Sequence, residues 1–226
     1  MTPNIKLIAI DLDDTLLHDD ISLSAYTKDT LRKAMRQGVR IVIATGRMFQ
    51  AARPWGQAIG LGDVPMICYT GSLTGLCESG WLIRDVRIEL PVALEILKTI
   101  REHGWYAQTY IDDEIYVARR DERTDEYERQ CGVKAHEIGD DFYQPKKAPT
   151  KILLCEHDEE KMKDIETTLR GLYSGVVGQV KSKPYFFEMN NKECSKGKAV
   201  ASLAKEWGIA MEDIMTFGNG NNDVSM

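Results

Sequence analysis

No stretch of this sequence approaches the roughly 20 consecutive apolar residues that a membrane-crossing helix requires. No basic patch is present either. The formal net charge is −6 and Lys and Arg are scattered, which argues against a nucleic-acid footprint and a polybasic membrane anchor. No CxxC pair occurs among the five cysteines (Cys68, Cys77, Cys131, Cys155 and Cys194). Their odd number, and the apolar strand-like runs around Cys68 and Cys155, point to reduced thiols and a cytoplasmic location. The four histidines (His18, His103, His136 and His157) stand apart from one another and from cysteine, which argues against a zinc site. The segment Met1–Lys6 lacks a signal-peptide pattern and is expected to lead directly into a strand. Internal repeats and low-complexity tracts are absent. What remains is 226 residues, 43% of them hydrophobic, enough for one large domain or two small ones around a real core.

Apolar runs alternate with helical patterns, the signature of βαβ units and a parallel sheet. Strands are predicted at about Lys6–Ile10, Val39–Ala44 and Pro65–Tyr69. A helix is predicted from about Ala25 to Gln37, with Thr27, Leu31, Ala34 and Met35 on one face and Gly38 just beyond its end. After about Leu82 the pattern changes. A helix carrying Leu90, Ala93, Leu94 and Leu97 precedes strands Tyr106–Ile111 and Glu114–Ala118, which flank an Asp112-Asp113 hairpin turn. After a polar stretch come a strand at Lys151–Glu156, a helix through Met162, Ile165, Leu169 and Leu172, and strands Val176–Lys181 and Tyr185–Met189. That order favours an open antiparallel sheet with helices on one face. Asp121–Arg129 is densely charged and reads as a solvated helix or loop. The βα rhythm then returns: Ser195 can cap a helix from Lys196 to about Gly208, followed by a strand at Ile214–Phe217. One α/β domain, residues 1–82 and 190–226, is thus expected to be interrupted by an α+β insert, residues 83–189, with hinges near Leu82–Asp85 and Met189–Lys192.

The most informative stretch is Asp11-Leu12-Asp13-Asp14-Thr15, which follows the apolar run Leu7–Ile10. Two carboxylates one residue apart at the end of a buried strand are costly to hold without a cation or proton between them. They suit an aspartyl nucleophile, an acid/base neighbour and a divalent metal. Each predicted core strand ends in a polar cluster: Asp11–Thr15, Thr45-Gly46-Arg47, Thr70-Gly71-Ser72 and Gly218–Asp223. In an open parallel sheet the carboxyl ends of the strands share one edge, where ligands bind.

Together these clusters resemble the haloacid dehalogenase superfamily of phosphotransferases. Asp11–Thr15 matches its first motif, DxDxT. Thr45 matches the second, Lys196 in Ser195-Lys196-Gly197 the third, and Gly218–Asp223 the fourth, GDxxND. The αββ…βαββ insert resembles the cap of the Cof-type phosphatases (type IIB). The resemblance implies a Rossmann-like parallel-sheet core with an inserted α+β cap, and a Mg²⁺-dependent phosphatase acting on small phosphorylated metabolites such as sugar phosphates. It implies Asp11 as nucleophile and Asp13 as general acid/base, with Asp11 crowding favouring the protonated form of Asp13. Thr45, Gly46, Arg47, Lys196 and Asn222 would bind phosphate or substrate; Asp11, Asp13, Asn219 and Asp223 would hold Mg²⁺. Two positions depart from the family pattern. Asn219 stands where a metal-binding Asp is usual, and Thr70-Gly71 where Asn-Gly is usual. The chain also reaches Met226 directly after the fourth motif, where relatives run on through further strand and helix.

Plainer readings stand beside these. Asp11 and Asp13 could be a solvated loop, and Thr45-Gly46 an ordinary strand-to-helix turn. Asp14 is a turn or helix-start residue in preference to a catalytic one, and Thr15 a helix N-terminal hydroxyl or a site residue. Lys196 in isolation is a surface lysine. Arg47 is a solvated arginine or a contact to substrate or cap. Asn222 and Asp223 could be a capping pair that organises Lys196 or metal. Tyr185-Phe186-Phe187 reads as core before substrate platform. Rival functions are a phosphomutase or phosphotransferase, a catalytically weakened phosphometabolite-binding protein, and a phospho-accepting signalling domain, against which the insert argues. Oligomeric state is open.

Overall fold

The computed structural model describes residues 4–226; Met1 to Pro3, read above as leading into the first strand, lie outside them. The chain forms two compact units, one of residues 1–85 and 194–226, the other Val86–Glu193. The first contains β1 (Leu7–Ile10), α1 (Ala25–Arg36), β2 (Arg40–Ile43), α2 (Phe49–Ile59), β3 (Pro65–Cys68), β4 (Leu73–Leu76) and β5 (Leu82–Asp85). The second contains α3 (Leu90–His103), β6 (Ala107–Ile111), β7 (Glu114–Val117), α4 (Glu122–Cys131), β8 (Ala135–Glu137), β9 (Lys151–Cys155), α5 (Glu159–Tyr173), β10 (Gly178–Lys183) and β11 (Phe186–Asn190). The chain then returns to the first unit with α6 (Lys196–Glu206) and β12 (Ile214–Phe217). The boundaries lie beyond Leu82 and Asn190, because Leu82–Asp85 is laddered to β4 and Asn190 to β9 and β10.

In the first unit β1 lies between β12 and β2, all parallel. β3 continues that edge through a parallel bridge from Ala44 to Ile67 and a 2.8 Å bond from the Thr45 amide to the Ile67 carbonyl. It then turns antiparallel into β4 and β5. Ala199, Val200, Leu203 and Ala204 of α6 pack on Leu7, Ala9, Val42 and Ala44, so the helix that begins at Lys196 is seated on the strand that ends at Asp11. The Ser195 hydroxyl caps α6 by accepting from the Lys198 amide at 3.2 Å. Leu31 anchors α1 as its spacing predicts.

Sequence periodicity does not reveal α2, β4 or β5. Pro54 and Gly56 sit inside α2 and read as breakers. Packing overrides them: a Cβ at Gly56 would stand 2.6 Å from the Cys77 sulfur.

The second unit is a six-stranded sheet in the order β10-β11-β9-β6-β7-β8, antiparallel except for β7 against β8. Asp112 and Asp113, at φ 55° and 61°, make the predicted tight turn between β6 and β7. α3 and α5 cover one face with Ile96, Leu97, Ile100, Met162, Ile165 and Leu169 against Ala107, Ile152, Leu154 and Phe187. Leu172, expected on that buried stripe, is exposed. α4 corrects the expectation of helices on one face only. Its Tyr127 meets Tyr110 and Phe186, which alternate with the residues of the α3–α5 face and so point the other way. Thr124, Tyr127 and Glu128 are buried while Glu122, Asp125 and Arg129 are exposed, so Asp121–Arg129 is largely a helix, as one of its two readings had it, but with one face solvated and the other packed. Phe186 and Phe187 are both core. Among the described residues no helix is long and apolar enough to cross a membrane, and all five cysteines are free thiols.

Candidate active site

β1 delivers Asp11 to the sheet edge, where its amide donates to the Phe217 carbonyl of β12 at 3.0 Å. The chain then closes a wide turn, with the Leu16 amide bonded to the Asp11 carbonyl and Leu17 to Leu12. Asp14 takes a left-handed conformation inside it, at φ 56°, consistent with its reading as a turn residue. Asp11 is only 5% exposed and Lys196 is fully buried.

The Lys196 ammonium lies 2.6 Å from Asp11 Oδ1 and 2.6 Å from Asp223 Oδ1, joining segments 185 and 27 positions apart. It is therefore no surface lysine. Burial pushes the Asp11 carboxyl up to about 6; Lys196 opposes that shift, while Asp223 and Asp13 add to it.

Asp13 is gripped by Arg47, whose Nη2 lies 2.6 Å from Oδ1 and whose Nε lies 3.0 Å from Oδ2. The expected crowding of Asp13 by Asp11 left out this countercharge. Arg47 belongs to the turn after β2. There the buried Thr45 hydroxyl accepts from the Arg47 amide at 3.1 Å, with Gly46 between them. The Thr45 carbonyl accepts from the Thr70 amide, tying the second cluster to the third.

Tyr69 and Thr70 both have positive φ, 50° and 56°, and Gly71 follows at 97°. At Gly71 a Cβ would stand 2.4 Å from the Ser195 carbonyl oxygen, so this turn closes directly on the start of α6.

The fourth cluster is a turn organised by Asp223. Its Oδ2 accepts from the amides of Asn219 at 3.1 Å and Gly220 at 2.9 Å while Oδ1 holds Lys196. Asn219 is exposed on this turn, and its side-chain oxygen accepts from the Thr15 hydroxyl at 3.3 Å. Thr15 thereby links the first and fourth clusters, a contact that sequence reasoning left undecided. Asn222 lies in the same turn. Its side-chain oxygen would meet a Cβ at Gly220 at 2.6 Å, and among the described residues it makes no hydrogen bond to Asp11 or Lys196.

Mg²⁺ is the cation the family implies, and the donor set suits it, since every available ligand is oxygen. Asp11 Oδ2, the Asp13 carbonyl and the Asn219 amide oxygen would hold it. Among the described residues no three His, Cys, Asp or Glu side chains cluster as a metal site. Asp223 has both oxygens engaged and serves the turn and Lys196.

A buried lysine between two aspartates at the carboxyl edge of a parallel sheet, with a hydroxyl and an arginine from the turn after the next strand, is the arrangement that the resemblance implies. The profile of the haloacid dehalogenase-like hydrolases matches residues 8–226, and the chain belongs to that family. It is 28% identical to YxeH of Bacillus subtilis (strain 168), over 98% of this chain and 83% of that one. It is 25% identical to pyridoxal phosphate phosphatase YbhA of Escherichia coli (strain K12), covering 98% and 84%. Among solved structures, TM0651 of Thermotoga maritima superposes with a TM-score of 0.85 at 28% identity, covering 98% of this chain and 82% of that one. BT4131, described as a subclass IIB sugar phosphatase, shares the fold with a TM-score of 0.79 at 20% identity, covering 98% and 83%. The fold is therefore that of a Cof-type member with its α+β insert, and the chain is a phosphatase.

Proposed function

We propose that this phosphatase hydrolyses monoesters of small phosphorylated metabolites, sugar phosphates foremost, through an aspartyl-phosphate on Asp11. The observation that carries the reading is the buried Lys196 ammonium held between Asp11 and Asp223. Asp11 attacks phosphorus, forming the aspartyl P–O bond as the ester P–O bond breaks. Asp13 gives its proton to the departing oxygen. Water then attacks the same phosphorus and passes a proton to Asp13, releasing inorganic phosphate and restoring the Asp11 carboxylate. Lys196 keeps Asp11 oriented and balances its charge, and the Thr45 hydroxyl donates to the transferring group. Arg47 must turn from Asp13 toward the substrate before Asp13 can take part. Mg²⁺, when bound, supplies positive charge against the phosphoryl oxygens.

The sugar-phosphate class is supported by the subclass IIB likeness of the insert, and small phosphorylated substrates more broadly by the pyridoxal phosphate phosphatase relative. The free thiols support a reducing, cytoplasmic location. The scattered cations give no support to a nucleic-acid or membrane partner. The test is hydrolysis of p-nitrophenyl phosphate and a sugar-phosphate panel with and without Mg²⁺. Turnover that requires Mg²⁺ and vanishes in Asp11→Asn is expected; turnover that survives Asp11→Asn overturns the mechanism. Asn219 favours one second reading, a phosphometabolite binder of reduced activity. It would show tight ligand binding, negligible hydrolysis and recovery in Asn219→Asp.

A further inference from the structure

The carboxylates around Asp11 are largely engaged by the protein's own donors. Asp11 Oδ1 and Asp223 Oδ1 accept from Lys196, Asp223 Oδ2 accepts from two backbone amides, and Asp13 is held by Arg47. That leaves Asp11 Oδ2 as the carboxylate oxygen without a hydrogen bond among the described residues. The loop after β12, tied to the same centre through Asp223, offers a neutral amide oxygen at Asn219, which accepts from the Thr15 hydroxyl at 3.3 Å. While Arg47 holds Asp13, three carboxylates against two side-chain cations give the centre a single net negative charge. A divalent cation reverses that sign, and a phosphate dianion reverses it again. Each ion therefore meets repulsion or weak attraction when it arrives alone, and attraction when the other is already in place.

We propose, on the reading of this centre as a phosphatase site, that Mg²⁺ and the phosphoryl group bind cooperatively here, the free protein holding Mg²⁺ weakly because position 219 is an amide. The phosphate oxygens supply the ligand charge that the protein omits. By linkage, Mg²⁺ raises phosphate affinity by the same factor that phosphate raises Mg²⁺ affinity. Asn219→Asp supplies the missing charge from the protein. It tightens Mg²⁺ binding to the free protein and shrinks the coupling.

Isothermal titration of Mg²⁺ into the intact protein, with and without saturating inorganic phosphate, tests this. Mg²⁺ is expected to bind at least about fivefold more tightly in phosphate. Asn219→Asp is expected to bind Mg²⁺ alone about tenfold more tightly and to lose most of the phosphate enhancement. Asn219→Ala, exposed and benign to folding, is expected to weaken Mg²⁺ binding in both states. Equal Mg²⁺ affinity with and without phosphate overturns the proposal, as does an Asn219→Asp variant with unchanged affinity. Hydrolysis assayed in parallel separates the two levels. Mg²⁺-dependent turnover with uncoupled binding defeats the coupling alone, whereas absence of binding and of turnover defeats the site reading with it.

Discussion

At the scale of single residues, Lys196 is the position on which the centre turns. Its ammonium is buried against two carboxylates, so removing it strands two negative charges out of water. Lys196→Met is expected to destabilise the protein by about 3 kcal/mol or more and to lower kcat by about a hundredfold or more. Urea denaturation and p-nitrophenyl phosphate turnover check the two effects. Asp11 carries a pH signature of its own. Its folded pKa, about 6, lies above the ordinary 3.8, so between those values the folded protein holds the proton that the unfolded chain releases. This group's contribution to stability therefore falls as pH climbs from about 4 to about 6 and is level above. Denaturant titrations of metal-free protein across that window are expected to show the decline, and Asp11→Asn to remove it. The motif spacing made Asp11, Asp13, Thr45, Lys196 and Asp223 legible as candidates. It could not reveal the grip of Arg47 on Asp13 or the bond from Thr15 to Asn219. Both join side chains from turns that follow different strands, and their pairing depends on how those turns fold.

At the scale of elements, the turn after β3 decides where α6 begins. Tyr69, Thr70 and Gly71 lie at positive φ in succession, and Gly71 rests against the Ser195 carbonyl. Gly71→Ala adds a left-handed non-glycine residue and a clash with backbone. It is expected to cost about 1–3 kcal/mol. It should also lower kcat, because Lys196 is the first residue of the displaced helix; thermal melting and turnover measure both. Regular helices and strands with clean periodicity, such as α1, α3, α5 and β9, stood out in the sequence. α2 did not, because Pro54 and Gly56 carry breaker signals that tertiary packing overrides. α4 was visible as charge, but its buried Thr124 and Tyr127 occupy too few positions to produce an apolar stripe.

At the scale of the whole molecule, the residues of the centre all belong to the unit formed by 1–85 and 194–226, although the chain between its halves spans Val86–Glu193. The alternation of periodicities along the sequence announced this interruption. The exact crossings, after Asp85 and before Cys194, depend on edge-strand pairing that leaves no periodic trace. The placement of β1 between two full parallel ladders has a consequence for how the centre wears. Amides of Ile8 to Asp11 are expected to exchange with deuterium as slowly as any in the protein, while those of Gly218–Asp223 exchange early, through local opening. Mass spectrometry of labelled peptides resolves the two. On gentle heating the nucleophile would then persist in a native strand after its partner loop has let go of Lys196. Activity would fade and return with temperature well before the chain as a whole unravels.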